Sequence, residues 1–147
     1  MENTGKRVYI ETYGCSANKA ESEIIAGLLS REGQEIVKLP ENSEVMIINS
    51  CSVKSATVNK ILYRIRELRE KYPGKKIIVS GCMAITEEEK IREIEDVVLL
   101  KKITKSIRLD NILKGKEIQQ PREELVCLPK IRGNEVIDII PICSGCS

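Results

Sequence analysis

The stretch EVMIIN at residues 44–49 is almost wholly apolar, and it predicts the centre of the fold. A strand with one solvated face alternates polar and apolar residues, whereas a strand buried on both faces is apolar throughout. Residues 44–49 therefore predict an inner strand of a parallel sheet that has helices on both sides.

The flanking sequence alternates strand-like and helical patterns. Four further strands are predicted at 7–13, 35–39, 76–80 and 97–100, and helices at 18–33, 54–72, 86–95 and 104–113. This alternation predicts an α/β fold, a flavodoxin-like doubly wound and mainly parallel five-stranded sheet with strand order 2-1-3-4-5. Residues 40–43 are too few for a crossover helix, so the second strand is also compatible with a ragged or antiparallel edge.

Two capping boxes are predicted at helix starts. Asn18 is followed three residues later by Glu21, and Thr86 is followed three residues later by Glu89. An Asn or Thr with Glu at this spacing is typical of the first turn of a helix, because each side chain can pair with a free backbone amide. We therefore expect the first and third helices to begin at Asn18 and Thr86.

The chain is predicted to divide into a domain at 1–115 and an extended C-terminal tail at 116–147. The tail contains three prolines and a strand-like run, EVIDIIPI at 135–142, which has no partner in the α/β pattern. We interpret residues 116–147 as a linker followed by the start of a further domain that is cut off. We expect this tail to add little to the stability of the first domain.

The amino-acid composition excludes several classes of catalytic and metal site. The chain of 147 residues is 41% hydrophobic and 31% charged, and it has no histidine, which excludes a Cys–His dyad and a mixed Cys/His zinc site within it. No apolar run approaches the length of a membrane helix and no signal core is present, so we expect a cytoplasmic protein without a membrane partner. Residues 101–132 carry nine basic and four acidic side chains, which fits either an RNA-facing segment or a solvated linker.

Three of the six cysteines follow predicted strands. Cys15, Cys51 and Cys82 each lie in a small-residue turn between a strand and a helix. The carboxyl ends of parallel strands meet at one edge of the sheet, so three thiols far apart in sequence are expected to converge there. Buried apolar packing is the plainer interpretation of a cysteine, but a turn at a strand end is not a core position.

Three thiolates without histidine favour zinc, copper(I) or an iron–sulfur cluster. Structural zinc takes four protein ligands, and an electron-transfer 4Fe–4S cluster usually has four cysteines, so three favour a cluster with one iron open to exogenous chemistry. Cys143 and Cys146 form a separate C-S-G-C sequence that is compatible with a redox pair, half a metal site or chance. Cys127 lies between apolar residues, and we interpret it as structural or incidental.

Three stretches together resemble the N-terminal domain of the radical-SAM methylthiotransferases. They are TYGCSANKAESEIIAGLL at 12–29, INSCSVKSATVNKI at 48–61 and VSGCMA at 79–84. The family pattern T-x-G-C-x-x-N-x-x-D-S-E is matched except that Glu21 replaces the aspartate, and the N-T-C of the family is Asn49-Ser50-Cys51 here. The residues of these stretches are most similar to those of the archaeal and eukaryotic branch, which acts on N6-threonylcarbamoyladenosine at position 37 of tRNA.

The resemblance implies specific cofactors and partners. Cys15, Cys51 and Cys82 would hold an auxiliary 4Fe–4S cluster, with Asn18 and Asn49 as polar groups able to donate to cluster sulfurs. In the full-length family a following barrel carries CxxxCxxC, which binds a second 4Fe–4S cluster and S-adenosylmethionine, and Cys146 would be its first cysteine. The implied reaction adds a methylthio group to C2 of the modified adenosine. The fragment alone is expected to be inactive.

A second interpretation remains open, that of a non-catalytic flavodoxin-like module that binds a metal or nucleotide or docks on RNA. A nucleotide site is disfavoured because the turns after the first, third and fourth strands each have one glycine or none, which is not a glycine-rich phosphate cradle. Uptake of iron and sulfide by the chain would favour the enzyme-domain interpretation over a metal-binding or RNA-docking module.

Overall fold

The computed structural model describes residues 5–50, 55–101, 108–113 and 131. Within them the strands are β1 (Arg7–Thr12), β2 (Glu35–Val37), β3 (Val45–Ser50), β4 (Lys76–Gly81) and β5 (Val97–Leu100). The helices are α1 (Ser16–Arg31), α2 (Ser55–Lys71), α3 (Met83–Thr86), α4 (Glu88–Arg92) and α5 (Leu109–Leu113). The predicted strands are confirmed within one or two residues at each end.

The strands form a five-stranded sheet in the order β2-β1-β3-β4-β5. Every neighbouring pair is parallel, from β1–β2 at one side to β4–β5 at the other. The predicted α/β class and strand order are therefore confirmed, with β3 at the centre. In this order the chain reverses its direction of winding between β1 and β3, which is where ligands bind in open α/β sheets.

The orientation of β2 was the open point of the sequence prediction. The structure shows it parallel to β1, with Arg7 opposite Glu35 and Tyr9 opposite Val37. A short 3-10 turn at Pro40–Asn42 leads from β2 towards β3 in place of a crossover helix. Ser43 stabilises this turn, because its hydroxyl donates to the carbonyl oxygen of Pro40 at 2.7 Å.

The sheet separates two hydrophobic layers. One face packs on α1 and α5, and it includes Val45, Ile47 and Ile78. The opposite face packs on α2, α3 and α4, and it includes Met46, Ile48 and Val79. All six residues of β3 are buried, which confirms the prediction from 44–49 that both faces of this strand are covered.

The first predicted capping box is wrong. Helix α1 begins at Ser16 with Cys15 as its N-cap residue, so Asn18 lies inside the first turn. The side chain of Asn18 is buried and pairs with Asn49 on β3. A contact between distant parts of the chain therefore uses the amide that the local pattern assigned to the helix start.

The second predicted capping box is also wrong. Thr86 ends the short helix α3, and its hydroxyl donates to the carbonyl oxygen of Cys82 at 3.2 Å. Helix α4 follows with Glu87 as its N-cap residue and ends at Arg92. The single helix predicted at 86–95 is thus the shorter α4, and the additional short helix α3 precedes it and starts directly after Cys82.

Several sequence predictions fall outside the described residues. They include the start of the last helix at 104–107 and the strand at 135–142. Of the tail, the structure describes Ile131, whose amide donates to the carbonyl oxygen of Glu23 at 2.9 Å. The division into 1–115 and 116–147 stays a prediction.

None of the helices that the structure describes is long and apolar enough to cross a membrane.

Candidate metal centre

The ends of β1, β3 and β4 lie side by side at one margin of the sheet, which we call the carboxyl edge. Thr12 is opposite Asn49, and Ser50 is opposite Gly81. The amide of Tyr13 donates to the carbonyl oxygen of Asn49 at 2.8 Å, which extends the β1–β3 pairing to within two residues of Cys15. The three strands therefore end at the same edge of the sheet.

Two of the three predicted cysteine ligands lie in the described part of the chain. Cys82 follows β4 directly and Cys15 follows β1 by three residues, and both are exposed. Cys51 follows β3 directly in the sequence but lies outside the described residues. Among the residues that are described, no group of three or more Cys, Asp or Glu side chains is arranged to hold a metal ion. The three-thiolate site stays a prediction, with two members at the carboxyl edge.

The glycines before Cys15 and Cys82 have backbone conformations that other residues rarely adopt. Gly14 has φ of 127° and Gly81 has φ of 87°. A Cβ atom at Gly81 would lie 2.3 Å from the carbonyl oxygen of Ser50 and 2.6 Å from Oδ1 of Asn49. Glycine at position 81 therefore allows the end of β4 to lie directly against the end of β3.

Cys15 is placed by the start of helix α1. Its backbone is extended, with φ of −87° and ψ of −178°, and its thiol donates to Oδ1 of Asn18 at 3.4 Å. The N-terminal amides of a 16-residue helix carry a partial positive charge that favours a bound anion. The thiol of Cys15 is thus exposed to solvent while its orientation is set by a buried amide.

A buried polar network lies beneath Cys15. Asn18 is 4% exposed and Asn49 is fully buried. Nδ2 of Asn49 donates to the carbonyl oxygen of Asn18 at 2.8 Å and to the hydroxyl of Ser22 at 2.9 Å. That hydroxyl also accepts from Thr12 at 2.7 Å, and Nδ2 of Asn18 lies 3.4 Å from Oδ1 of Asn49. The network joins β1, β3 and α1 and ends at the thiol of Cys15.

Glu21 lies next to this network. Burial raises the pKa of its carboxyl, and a hydrogen bond from Asn49 partly opposes that rise. Cys15 is the N-cap residue of α1, so Glu21 does not complete a capping box with Asn18. A partly buried carboxyl with a raised pKa beside Asn49 is a feature that the sequence pattern did not predict.

Two hydroxyls at the carboxyl edge have no hydrogen-bond partner among the described residues. Ser50 and Ser80 are both fully buried. In the part of the chain that the structure describes, neither Oγ atom has a hydrogen-bond partner. A buried hydroxyl without a partner is unusual, because it has lost its bonds to water without replacing them.

A second polar cluster lies on the other face of β1. Glu11 receives hydrogen bonds from Arg64 of α2 through Nε at 3.0 Å and Nη2 at 3.2 Å. The hydroxyls of Tyr9 and Tyr13 also donate to the Glu11 carboxylate. This cluster holds the end of β1 and Tyr13 in place. Gly14 and Cys15 follow Tyr13 directly in the chain.

The charges in this cluster shift the acidity of its members. Burial raises the pKa of Tyr13 to about 12, and its hydrogen bond to Glu11 acts in the same direction. Burial also raises the pKa of Glu11, but hydrogen bonds from Arg64 and Tyr13 outweigh it and leave that pKa below its ordinary value. The hydrogen bond to Glu11 raises the pKa of Arg64. Near neutral pH the two tyrosine hydroxyls therefore stay protonated, the Glu11 carboxyl stays ionised and the Arg64 guanidinium stays charged.

Sequence reasoning missed the Glu11–Arg64 cluster and the two serines. Tyr9, Glu11 and Tyr13 alternate along β1, so their shared face was readable from the sequence. Their partner Arg64 was not readable, because it is one of several basic residues on α2. Cys127, Cys143 and Cys146 lie outside the described residues, and their predicted roles stay predictions.

Fold and site together define a parallel α/β domain that presents cysteines from separate strands at one edge of the sheet. The sequence pattern of the uncharacterized protein family UPF0004 matches residues 7–101, which include all five strands and the three strand-end cysteines. The chain belongs to this family.

Relatives with assigned names are similar over nearly the whole chain. A probable threonylcarbamoyladenosine tRNA methylthiotransferase of Methanothermobacter thermautotrophicus is 37% identical over 97% of this chain and 35% of its own length. A relative of the same name in Pyrococcus horikoshii is 39% identical over 95% of this chain and 34% of its own. The threonylcarbamoyladenosine tRNA methylthiotransferase of Xenopus laevis is 33% identical over 96% of this chain and 27% of its own length. The chain spans about a third of the length of these relatives.

Proposed function

We propose that this chain is the N-terminal cluster-binding domain of a tRNA methylthiotransferase. The observation that carries the proposal is the placement of exposed Cys15 and Cys82 at the ends of β1 and β4, on either side of the strand that Cys51 follows. The names of the relatives supply the reaction class, and their identity over nearly the whole chain supports the threonylcarbamoyladenosine branch.

The residues at the carboxyl edge fit a 4Fe–4S cluster held by Cys15, Cys51 and Cys82. The donor set is thiolate without histidine, which suits soft metals and iron–sulfur clusters. Gly81 lets the backbone at the end of β4 lie close to β3, directly before Cys82. When bound through three thiolates, such a cluster supplies one iron that is open to an exogenous sulfur species.

The remaining residues of the site have supporting roles in this proposal. Asn18 accepts a hydrogen bond from the thiol of Cys15 in the metal-free protein. A thiolate bound to iron has no proton to donate, so in the loaded protein the Asn18 amide would act through its Nδ2 donor instead. Asn49 holds Asn18 in place through its contacts with the backbone and with Ser22. Groups that orient metal ligands in this way are often nearly as important as the ligands themselves.

The complete reaction needs partners beyond this chain. We propose tRNA and S-adenosylmethionine as substrates of the longer protein, which would act in the cytoplasm on the modified adenosine at position 37. Cys146 would be the first cysteine of the CxxxCxxC sequence that holds a second 4Fe–4S cluster there. The 147-residue chain contains one cysteine of that motif, so we expect it alone not to cleave S-adenosylmethionine.

Anaerobic reconstitution of the chain with iron and sulfide tests the proposal. The wild type is expected to bind a 4Fe–4S cluster, measured by iron and sulfide content and by visible absorbance. Replacing Cys15, Cys51 or Cys82 with Ala should abolish stable binding, because two thiolates leave the cluster open to loss. Wild-type protein that takes up zinc but no iron would instead favour a structural metal module.

Cys127→Ala and Cys143→Ala are matched controls, because they remove the same side chain elsewhere in the chain. Both variants should keep nearly the iron content of the wild type. Loss of iron in Cys127→Ala with retention in Cys51→Ala would show that the ligand assignment is wrong.

A further inference from the structure

We propose that the C-terminal segment that contains Ile131 docks on the outer face of α1 and covers it as a further layer of the domain. The outer face of α1 is the side of the helix turned away from the sheet, and it consists of Glu23, Ala26 and Gly27. The proposal goes beyond the proposed function, because it requires no bound metal or substrate. It runs against the expectation that residues 116–147 add little to stability.

Helix α1 has the sheet-facing stripe that is usual in an α/β domain. Four of its residues pack in the hydrophobic layer on this side of the sheet: Ile24, Ile25, Leu28 and Leu29. An α-helix turns about 100° per residue, so Glu23 lies almost opposite the middle of this stripe, between Ala26 and Gly27. On a surface helix that covers an open sheet, these three positions would face water.

The outer face of α1 is nevertheless buried. Glu23 is 9% exposed and Ala26 is 6% exposed, and every residue from 22 to 29 is buried. Glutamate is among the residues that are least often buried in proteins. A helix that is buried on all sides lies between two layers, so a second layer covers the outer face of α1.

Helix α2, on the other side of the sheet, is the contrasting case. Its buried residues form one stripe at helical spacing: Val58, Ile61, Leu62, Ile65 and Leu68. The positions away from the sheet are open to solvent, since Tyr63 is 70% exposed and Lys60 and Arg66 are exposed as well. The covering of α1 is therefore a property of one side of the domain and not of both.

The cover is supplied by this chain, because the burial of α1 is found within a single copy. Helix α5 lies at the end of α1 that is remote from Cys15, where Arg108 pairs with Glu32 at 3.5 Å. Glu23 is about 13 Å from Glu32 along the helix axis, at 1.5 Å per residue. A different segment is therefore needed over Glu23.

The backbone of Ile131 contacts α1 at this place. Its amide donates to the carbonyl oxygen of Glu23 at 2.9 Å. A carbonyl oxygen inside a helix has a second lone pair that can accept a donor from outside the helix. An amide reaches it only when its own backbone lies against the helix, and the small residues Ala26 and Gly27 leave room for that approach. The side chain of Ile131 is 43% exposed, so the backbone makes the attachment.

The attachment fixes the path by which the chain leaves the domain. Glu23 follows Ser22, whose hydroxyl belongs to the polar network beneath Cys15. The segment therefore covers the half of α1 that is nearest the carboxyl edge. In relatives of which this chain spans about a third, the residues that follow would be held on the α1 side of the domain and not on a free linker.

Hydrogen exchange in the metal-free 147-residue chain tests the contact directly. The Ile131 amide should exchange at least about tenfold more slowly than the same amide in a free peptide of residues 125–137, because the segment must first detach from α1. Exchange at the rate of the free peptide would show that the proposal is wrong.

Thermal melts of two variants separate the backbone contact from the side chain. Ile131→Pro removes the donating amide, whereas Ile131→Ala keeps it. In the 147-residue chain Ile131→Pro should lower the melting temperature more than Ile131→Ala does. An Ile131→Pro variant that melts at the wild-type temperature would overturn the proposal.

A double-mutant cycle identifies the segment as the cover of α1. Ala26→Lys should lower the melting temperature of the wild type, and should lower it much less in the Ile131→Pro background, where the segment is already detached. Tyr63→Lys on the exposed side of α2 is the matched control, and it should have little effect in either background. Additive effects of Ala26→Lys and Ile131→Pro would contradict the proposal. All these measurements use metal-free protein, so their outcomes are independent of whether the chain takes up a cluster.

Discussion

Strand β3 contains two kinds of buried residue. Its first four residues, 45–48, are apolar, and they pack alternately on the two hydrophobic layers of the domain. Its last two residues, Asn49 and Ser50, are fully buried as well, but they are polar. Strand β4 repeats the arrangement, with Ile78 and Ser80 both fully buried on the α1 side.

The two regions differ in what their burial achieves. Ile78 removes apolar surface from water, which is the main source of folding free energy. Ser80 is buried without a hydrogen bond, which costs free energy. Equal burial therefore does not mean equal contribution to stability. The buried side chains in the middle of the strands are apolar and need no hydrogen bonds, whereas those at the carboxyl edge are polar and do.

The largest expected effect comes from the packed region. Ile78→Ala should lower the free energy of unfolding by about 2–5 kcal/mol, because it removes buried methyl groups and leaves a cavity. Ser80→Ala, two residues along the same face, should not lower it. Denaturant melts of the metal-free chain measure both, and equal losses in the two variants would remove the distinction between the regions.

Gly81→Ala should have the next largest effect and tests the close approach of β4 to β3. The new Cβ atom would meet the carbonyl oxygen of Ser50 at 2.3 Å at a φ of 87°. We expect a loss of about 1–3 kcal/mol in the free energy of unfolding, the usual cost of a non-glycine residue in this conformation.

Gly74→Ala is the matched control, because a Cβ at this position has no atom within 4 Å. It should leave stability unchanged or raise it slightly, since alanine restricts the unfolded chain. A Gly81→Ala variant as stable as Gly74→Ala would show that the end of β4 does not lie closely against the end of β3.

Glu11→Gln tests the polar cluster on the α2 face and should cost about 1 kcal/mol near neutral pH, because it weakens charged hydrogen bonds. The pKa of Glu11 in the folded protein lies below its ordinary value of 4.5. A lowered carboxyl pKa stabilises the fold fully above the ordinary value and loses that contribution as the pH falls through the folded value.

The difference between Glu11→Gln and wild type should therefore be present at neutral pH and disappear well below pH 4.5, as measured by urea melts. Glu67→Gln is the control, because its carboxylate also pairs with Arg64 but is 48% exposed. A difference that persists unchanged in acid would contradict the assigned charge state.

Glu21→Gln should have the smallest effect, and of the opposite sign. Burial raises the pKa of Glu21, so the folded state favours its protonated form, and stability present below the ordinary pKa is lost as the pH rises through the raised one. The glutamine variant should be slightly more stable than wild type at neutral pH and equal to it in acid. Urea melts at the two pH values check this, and a less stable variant at neutral pH would mean that the charge is needed.

The strands were predictable because each is a short apolar run with turn residues at its ends. Residues 44–49 gave the central strand and its burial on both faces, and the strand order followed from the alternation of strands and helices. The direction of β2 was not predictable, because residues 40–43 are too few for a crossover helix, and the 3-10 turn at Pro40–Asn42 that leads to a parallel β3 has no distinctive pattern in the sequence.

The positions of two of the predicted ligand cysteines were predictable, and the contacts around them were not. Cys15 and Cys82 lie at strand ends as expected, since the ends of parallel strands meet, and their role as metal ligands stays a prediction. The capping role of Asn18 was wrong, because Asn49, 31 residues away in sequence, competes for its side chain. The local pattern contains no information about such a partner.

The sequence by itself determined which segments are strands, that the sheet is mainly parallel and which cysteines follow its strands, because these features depend on local apolar patterns and on chain order. The tertiary structure alone decided the polar contacts around those cysteines. Arg64 pairs with Glu11 from 53 residues away, and Ser50 and Ser80 are buried without a hydrogen-bond partner in the described part of the chain. Hydrogen bonds and burial of this kind depend on the distances between folded elements, which residue spacing along the chain does not fix.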